Sequence, residues 1–353
     1  MSIVLSGGGT LGSITSLLSI AESIRELDSG MRFYFMAPYG SPGKELVLKT
    51  GIPWYEFPGG KLRRYASIKN FFEPVNIARA FFMSRKYFKL WQGRVFVSSG
   101  SFVSPPLAWQ ANMLGMKIVL IQLDVLPGLA NKLMLPIADA HFVAWEILKT
   151  RYPNAIVSGL PLPKFETSAS VVSSDSVFSS NSLPNILIIG GGTGAERLNK
   201  LVSECKKELT SFCNIIHLTG RGKGDVKKEN GYVSMPYLSQ DELLPLIKKA
   251  TLIVSRAGMG ALSDAIAFRK PLILIPIKKS HQEINAHFIE ERKAAHVLLE
   301  KNLNTNSFVR AIRKIIEDKN ELARLSEEIG KLSNSSASAL IAEHILKLYN
   351  EHS

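Results

Sequence analysis

The chain has 353 residues, of which 46% are hydrophobic and 21% charged, and its formal net charge at pH 7 is +13. This is the composition of a globular protein that buries a core, and the length allows two domains. No apolar window of about 18–20 residues is present, which excludes a transmembrane helix, and the start MSIVLSGGG lacks the features of a signal peptide. The positive charge favours a polyanionic partner or an anionic membrane surface. We therefore expect a soluble or peripherally membrane-bound protein.

The first half of the chain alternates strand-like and helix-like segments. Strands are predicted at residues 2–6, 32–38, 94–99 and 117–123, continuing at 141–145 and 154–159, and helices at 13–27, 43–51 and 105–115. Such alternation predicts a parallel sheet flanked by helices. A Ser- and Pro-rich stretch, residues 161–185, then indicates a linker or surface loop.

The pattern restarts after this stretch with a strand, a glycine turn and a helix over residues 186–209. Strand segments follow at residues 214–222, 252–258 and 271–277, helices at 242–250, 260–270 and 281–295, and a helical tail at 306–318, 320–332 and 336–352. The predicted fold class is α/β, with two Rossmann-like doubly wound domains that face a cleft. The predicted boundaries are 1–162 for the first domain, 163–184 for the linker, 185–335 for the second domain, and 336–353 for a final helix that is a candidate for packing back onto the first domain.

Each half opens with a glycine turn between a strand and a helix, in LSGGGTLGS at residues 5–13 and GGGTGAER at residues 190–197. Such a turn lets the backbone approach a ligand and presents free helix amides to negative charge, which suits a diphosphate. A tight turn that binds nothing is the alternative. Neither turn is a complete dinucleotide fingerprint or a P-loop, because the acidic residue and the Lys-Ser/Thr pair are missing. The two cysteines, Cys205 and Cys213, predict neither a zinc site nor a disulfide.

A third glycine-rich turn, SRAGMGALSD at residues 255–264, again joins a strand to a helix. Asp264 lies in the first turns of that helix, where its carboxylate could accept hydrogen bonds from sugar hydroxyls. The alternative is a charge that only complements the helix dipole. Gln282 and Asn285 share one face of the next helix and could also reach a sugar, or they could be solvated polar groups.

These segments, in this order, resemble the MurG-type glycosyltransferases. The similarity runs from Ile3 to about Leu298 and is densest in GGGTLGS, FPGGKLRRY, LPGLANK, IGGGTGAERLN, HQEINA and the long block at residues 236–276. The resemblance implies two facing Rossmann-like domains, the GT-B arrangement, with the UDP-sugar bound mainly by the second half. It implies transfer of N-acetylglucosamine from UDP-GlcNAc, which is a substrate, to the undecaprenyl-diphosphate-linked muramyl-peptide, giving lipid II. It implies neither a cofactor nor a bound metal.

The resemblance assigns the donor site to the second half. It places the donor diphosphate at Gly191, Gly192, Thr193 and Gly194, the diphosphate or ribose near Arg256, Gly258, Ala261 and Leu262, the uracil beside Leu238, and the donor sugar at Gln282. Asp264 stands where the family usually has a Glu for the ribose hydroxyls. Arg256 is expected to add a cation for the charge that grows on UDP.

The acceptor side departs from the family. The first turn, Gly9, Thr10, Leu11, Gly12 and Ser13, is expected to hold the lipid's diphosphate, and Asn131 matches an acceptor-side asparagine. Ser13 replaces a family His, and a serine cannot act as a base without a partner. The family's H-E-Q-N run reads IQLD, with Gln122 and Asp124, and its Arg after a G-N-P turn is replaced by Pro163 and Lys164.

The catalytic candidates are Asp124 and Ser13. Asp124 is the carboxylate nearest a strand end on the acceptor side, which favours it as the base, although it could also be an ordinary loop Asp that caps a turn. His141 and His217 are further candidates, and His217 is expected near the sugar nucleotide because it ends a strand in the donor half.

A basic and aromatic segment, residues 61–94, contains a predicted helix at residues 75–91. Ile77, Phe81, Phe88 and Trp91 lie near one face of that helix, with basic residues beside them. A core helix with a basic solvent face, a membrane-surface helix and a nucleic-acid surface are the three interpretations. The family resemblance favours peripheral attachment to the cytoplasmic face of the membrane, and no nucleic-acid partner is expected.

The primary hypothesis is thus an inverting N-acetylglucosaminyltransferase that makes lipid II at the membrane surface. Its expected partners are UDP-GlcNAc, a polyprenyl-diphosphate-linked acceptor and an anionic membrane. The altered acceptor side keeps two alternatives open. One is a related UDP-hexose transferase that uses another lipid-linked acceptor, and the other is a sugar-nucleotide-binding protein without turnover.

Overall fold

A computed structural model describes residues 1–59, 69–163, 182–191 and 195–351, and within the helix that begins at Lys69 it describes side chains from residue 73 onward. The chain forms two compact units, Met1–Lys164 together with Asn334–Ser353, and Phe165–Ser333. Most of the expected linker, residues 164–181, lies outside the described residues.

The first unit is built on a seven-stranded sheet in which every pairing is parallel. Its strands are β1 (Ser2–Ser6), β2 (Arg32–Pro38), β3 (Trp54–Phe57), β4 (Gly93–Ser98), β5 (Lys117–Gln122), β6 (Ala140–Val143) and β7 (Ile156–Val157). Its helices are α1 (Leu11–Leu27), α2 (Lys44–Lys49), α3 (Lys69–Trp91), α4 (Ser104–Met113), α5 (Leu129–Met134) and α12 (Ala337–Asn350). The strand order is β3-β2-β1-β4-β5-β6-β7, and α12 packs against α1.

Helix α3 turns its aromatic stripe toward the sheet. Phe88 and Trp91 are buried in the core, and the Trp91 ring stacks on Tyr34 with 4.2 Å between ring centroids. The expectation that Phe88 and Trp91 belong to a membrane-facing stripe is therefore wrong. Ile77 and Phe81 are only partly buried. A helix that covers a sheet needs the same bulky residues at the same spacing as one that lies on a membrane, so the pattern alone cannot separate the two.

The second unit repeats this architecture. Its strands are β8 (Asn185–Ile189), β9 (Asn214–Leu218), β10 (Lys227–Glu229), β11 (Tyr232–Met235), β12 (Leu252–Ser255), β13 (Leu272–Leu274) and β14 (His296–Val297). Its helices are α6 (Glu196–Leu209), α7 (Gln240–Lys249), α8 (Met259–Ala267), α9 (His281–Glu291), α10 (Thr305–Glu317) and α11 (Lys319–Gly330). The order is β10-β11-β9-β8-β12-β13-β14, and only the pairing of β10 with β11 is antiparallel among the described strands.

Local signals in the sequence fix where several of these helices begin. Ser239 and Glu242 form a capping box at the start of α7, and Asn304 and Asp318 accept backbone N–H bonds at the starts of α10 and α11. The apolar face of α6, including Leu198 and Val202, packs into the core of the second unit. The capping box fixes the start of α7, and with it the backbone position of Gln240, the first residue of that helix.

The first six strands of the first unit follow the order 3-2-1-4-5-6 of a doubly wound Rossmann sheet. The six parallel strands of the second unit follow the same order when the antiparallel strand β10 is left out of the count. The predicted fold class, α/β with two Rossmann-like domains, is confirmed. None of the described helices combines the length and the apolarity that crossing a bilayer requires.

Candidate active site

The strand order of the second unit reverses direction between β8 and β12, and ligands of such sheets bind at the carboxyl ends of the strands at this point. Gly190 and Gly191 follow β8 here, and Gly191 is exposed with φ +87°, a conformation that favours glycine. A Cβ added there would meet no atom of the described residues within 4 Å. Gly192, Thr193 and Gly194, which complete the predicted diphosphate turn, lie outside the described residues.

The turn after β12 lies on the other side of the same switch point. Gly258 is the N-cap of α8 with no side-chain cap bond, so the first amides of this helix are not used by a capping side chain. Gln282 lies beside the turn, since its Nε2 is 3.6 Å from the position of a Cβ on Gly258. Ala261 is partly exposed, whereas Leu262 is buried and packs inward.

Asn285 belongs to the same face of α9 as Gln282 but is buried. Its Nδ2 donates to the Ala257 carbonyl at 3.2 Å. The expectation that Asn285 reaches a sugar is therefore wrong, because its amide is used to hold the turn. Gln282 is partly exposed and accepts from the backbone N–H of Ile277 at 3.2 Å through Oε1. Its contact with the donor sugar stays a prediction.

The guanidinium of Arg256 is already paired inside the second unit. Its side chain is buried, and Nη1 lies 2.6 Å from Glu300 Oε1 and donates to the Ile275 carbonyl at 2.8 Å. Arg197, in the first turn of α6, donates to the Glu300 carbonyl at 2.6 Å. The sequence assigned Arg256 to the leaving diphosphate, but the structure directs its charge at Glu300. Its Nε is buried with no partner among the described residues, so one N–H stays unsatisfied.

Asp264 and Leu238 are the two remaining donor-side candidates. Asp264 is only partly exposed, and desolvation raises the pKa of its carboxyl to about 7. Gln240 Nε2 donates to Asp264 Oδ1 at 3.4 Å, which opposes this rise in the pKa. Leu238, the predicted uracil neighbour, is partly exposed and lies two residues before Gln240. Nothing in the sequence pattern of α7 singled out Gln240.

His217 is a core residue rather than a site residue. Its Nδ1 lies 3.0 Å from the Tyr232 hydroxyl and its Nε2 lies 3.0 Å from Asn199 Oδ1. Burial lowers the pKa of His217 to about 4, so the ring is neutral at neutral pH. The expectation that His217 lies near the sugar nucleotide is wrong, because both ring nitrogens are used inside the unit.

The first unit has its switch point between β1 and β4. Gly9 and Thr10 are exposed after β1, and Gly9 has φ +81°. Leu11 is partly exposed and Gly12 is buried at the start of α1, where no acidic side chain occupies the first turn. An exposed backbone turn at the start of a 17-residue helix suits an anion.

Ser13 closes this turn. The backbone N–H of Gly8 donates to Ser13 Oγ at 3.1 Å, and Oγ lies 3.0 Å from the Thr10 carbonyl, to which it donates. The residue is buried, and the hydroxyl contacts only backbone atoms of the turn in these bonds. The described part of the chain thus gives no support to Ser13 as a catalytic residue, because each hydrogen-bond partner of its hydroxyl there is a backbone group.

The turn after β4 was missed by the sequence analysis. Ser99 Oγ donates to the Ser13 carbonyl at 2.8 Å, which ties this turn to the one after β1. Gly100 has φ +89°, and a Cβ there would lie 2.9 Å from Asn131 Oδ1. A glycine directly after a strand, in SSGS at residues 98–101, was the signal that could have revealed this turn.

Asp124 lies just beyond β5 and is partly exposed. Gln122 Nε2 donates to the Asp124 carbonyl at 2.7 Å, and Asn131 Nδ2 donates to Gln122 Oε1. Asn131 is buried, and its Oδ1 has no hydrogen-bond partner within the described part of the chain. The two amide side chains, Asn131 and Gln122, thus fix the backbone at Asp124. Oδ1 of Asn131 remains as a buried acceptor.

The remaining candidates are His141 and the two cysteines. His141 lies in β6 and is partly buried, its ring lies edge to face against Tyr152, and burial lowers its pKa. Cys205 and Cys213 are free and buried, and burial raises the pKa of their thiols to about 11 and about 12. Among the described residues, no group of three or more His, Cys, Asp or Glu side chains could hold a metal ion.

Two family models match successive parts of the chain. Residues 3–143 match the glycosyltransferase family 28 N-terminal domain, and residues 185–345 match the glycosyltransferase family 28 C-terminal domain. A relative from Lachnoclostridium phytofermentans is 31% identical over 325 residues, covering 90% of this chain and 91% of its own. That relative is named UDP-N-acetylglucosamine--N-acetylmuramyl-(pentapeptide) pyrophosphoryl-undecaprenol N-acetylglucosamine transferase. This chain belongs to the MurG family.

Other members of the MurG family give the same result. A relative of the same name from Borrelia turicatae is 30% identical over 360 residues, covering 99% of this chain and 97% of its own. The crystal structure of Acinetobacter baumannii MurG superposes with a TM-score of 0.69 at 19% identity, covering 98% of this chain and 99% of that chain. Membership of the MurG family makes the chain a family 28 glycosyltransferase with both of its domains present.

Proposed function

We propose that this protein transfers N-acetylglucosamine, with inversion, from UDP-GlcNAc to an undecaprenyl-diphosphate-linked N-acetylmuramyl-pentapeptide. One observation carries the proposal. The 30% identity to a relative named for this reaction extends over 99% of the chain, so it includes both the donor-side and the acceptor-side turns. The exposed glycine turns at the two switch points support the same reaction.

On the donor side, the turns after β8 and β12 receive the UDP diphosphate in this proposal. The transition state places growing negative charge on UDP, and backbone amides at helix starts stabilise such charge without a metal. Because Arg256 is paired with Glu300, the amides of α6 and α8 carry most of this task. Gln282 orients the sugar, Asp264 binds the ribose, and Leu238 lies beside the uracil.

On the acceptor side, the turn of Gly9 to Gly12 and the first amides of α1 bind the diphosphate of the lipid. Asp124 is the proposed base that accepts the proton of the attacking hydroxyl, and Asn131 offers its unpartnered Oδ1 to the acceptor. A positioned base contributes about 10²–10⁴-fold to the rate. Asp124→Asn is therefore expected to slow turnover by about that factor and to leave donor affinity unchanged.

The proposed membrane surface lies on α3, α4 and α5, which pack in that order. Their exposed large apolar side chains are Val75, Phe82 and Leu90 on α3, Trp109 and Met113 on α4, and Leu129 and Leu133 on α5. Trp109 Nε1 donates to the Leu133 carbonyl at 3.1 Å, which joins α4 to α5. Exposed basic residues such as Arg85 and Lys132 suit anionic headgroups. Peripheral attachment to the cytoplasmic face gives access to the polyprenyl acceptor.

The first experiment measures UDP release by the purified protein from UDP-GlcNAc, with and without lipid I in detergent, and in the presence of EDTA. Release that requires lipid I and persists in EDTA supports the proposal, and Asp264→Ala is expected to lose donor binding. Binding of UDP-GlcNAc without release would contradict the proposed acceptor and favour another lipid-linked acceptor or a protein without turnover. Release abolished by EDTA would contradict the metal-free mechanism.

A further inference from the structure

Two side chains from different helices meet at the donor side of the second unit. Gln240, the first residue of α7, donates from Nε2 to Oδ1 of Asp264 in α8 at 3.4 Å. Both residues are partly exposed, so an incoming molecule can reach them. The capping box of Ser239 and Glu242 fixes the backbone from which Gln240 projects.

The carboxyl of Asp264 lies in an apolar setting and lacks a salt bridge within the described residues. Its neighbours in α8, Leu262 and Ala265, are buried, and Arg256 is committed to Glu300. A carboxylate can accept about four hydrogen bonds, and Gln240 supplies one of them. The unused acceptor positions therefore favour a ligand with hydroxyl donors over an anion or a second acid.

We propose that Gln240 and Asp264 form one recognition unit for the vicinal hydroxyls of the nucleotide's ribose, with Gln240 as a specificity-determining residue. The inference rests on the proposed function and adds a residue to its donor site. Nε2 of Gln240 holds the short Asp side chain in place, and its Oε1 accepts from a hydroxyl. The ligand's hydroxyls then donate to one carboxylate and one amide oxygen.

The position of Gln240 along the chain supports this assignment. Leu238, the predicted neighbour of the uracil, precedes it by two residues, so one segment contacts both the base and the adjoining sugar. A hydrogen bond to a charged group changes affinity by about 10–100-fold. The unit should therefore distinguish a ribonucleotide from its 2′-deoxy analogue by about this factor.

The test is calorimetric titration of the full-length protein with UDP and with 2′-deoxy-UDP. The wild type is expected to prefer UDP by about 10-fold or more. Gln240→Leu and Asp264→Asn should each weaken UDP binding and reduce the preference, and the double variant should bind UDP no more weakly than the weaker single variant. Asp241→Asn, at the next and exposed residue of α7, is the matched control and should keep the preference.

Two outcomes would overturn the inference in different ways. If Gln240→Leu keeps the wild-type preference while Asp264→Asn loses it, Asp264 acts alone and the proposed function stands. If neither the wild type nor the control binds UDP, the proposed donor itself is wrong. Thermal unfolding of each variant identifies a misfolded protein. Gln240→Asn is a second, smaller substitution, which shortens the side chain by one methylene and keeps its amide.

Discussion

The guanidinium of Arg256 lies 2.6 Å from the carboxylate of Glu300, and both side chains are almost fully buried. Arg256 follows β12 at the switch point, whereas Glu300 lies in a short helical turn after β14. The pair therefore ties the turn that precedes α8 to the far edge of the sheet. Because Arg197 also donates to the Glu300 backbone, the start of α6 is held by the same residue.

Glu300→Gln should destabilise the protein by about 3 kcal/mol, because it leaves the buried Arg256 charge without its partner. The free energy of unfolding from urea titration is the measurement. The control is Glu317→Gln, which removes an exposed ion pair with Arg313 and should cost about 1 kcal/mol or less. An equal decrease in the free energy of unfolding for the two variants would contradict a structural role for the Arg256–Glu300 pair.

Ser13→Ala should impair acceptor binding rather than proton transfer. The variant leaves the Gly8 N–H without its hydroxyl partner, which loosens the turn and costs about 1 kcal/mol of stability. We expect a raised KM for the lipid acceptor and an unchanged shape of the pH–rate profile. Thr15→Ala, which removes a hydroxyl bond to the Gly12 carbonyl inside α1, is the control. A profile that loses one limb in Ser13→Ala would restore Ser13 as a catalytic candidate.

His217 should make the stability of the protein depend on pH. Its pKa is about 4 in the folded protein against an ordinary 6.5, so its contribution is complete above pH 6.5 and is lost as the pH falls toward 4. His217→Phe should be less stable than the wild type at pH 8, because Tyr232 and Asn199 lose their partner. The difference in unfolding free energy between the two proteins, measured by denaturant titration, should become smaller as the pH falls from 6.5 to 4. A difference that stays constant over this range would contradict a buried neutral imidazole.

Two substitutions on α3 separate its core face from its proposed membrane face. Trp91→Ala should lower the free energy of unfolding by about 3–5 kcal/mol, because Trp91 is buried against Tyr34. Phe82→Ala removes a side chain that is 70% exposed, so stability should change little while binding to anionic vesicles falls. Vesicle cosedimentation is the measurement. Unchanged vesicle binding in Phe82→Ala would remove this residue from the proposed membrane surface.

Local patterns in the sequence were sufficient for the fold. Strand periodicity, glycine turns and helix starts each depend on residues close together in the chain, and they predicted both Rossmann-like units. The partners of Arg256 and Asp264 could not be predicted in this way, because Glu300 and Gln240 are distant from them in sequence and no local pattern pairs the two. His217 shows the same limit, since a His at a strand end and a His inside a strand differ only in what packs around them.

The placement of α12 determines which truncated forms of the protein keep the first unit intact. The second unit is an insertion within the first, and the two ends of the insertion site are neighbours: Asn334 Nδ2 donates to the Ser158 carbonyl at 2.7 Å, and a Cβ on Gly159 would lie 2.7 Å from that of Asn334. A deletion that removes everything after residue 163 would therefore strip α12 from α1 and expose an apolar face. A short loop from residue 163 to residue 334 keeps that helix, so the acceptor-side unit is best isolated as a spliced chain rather than as an N-terminal fragment.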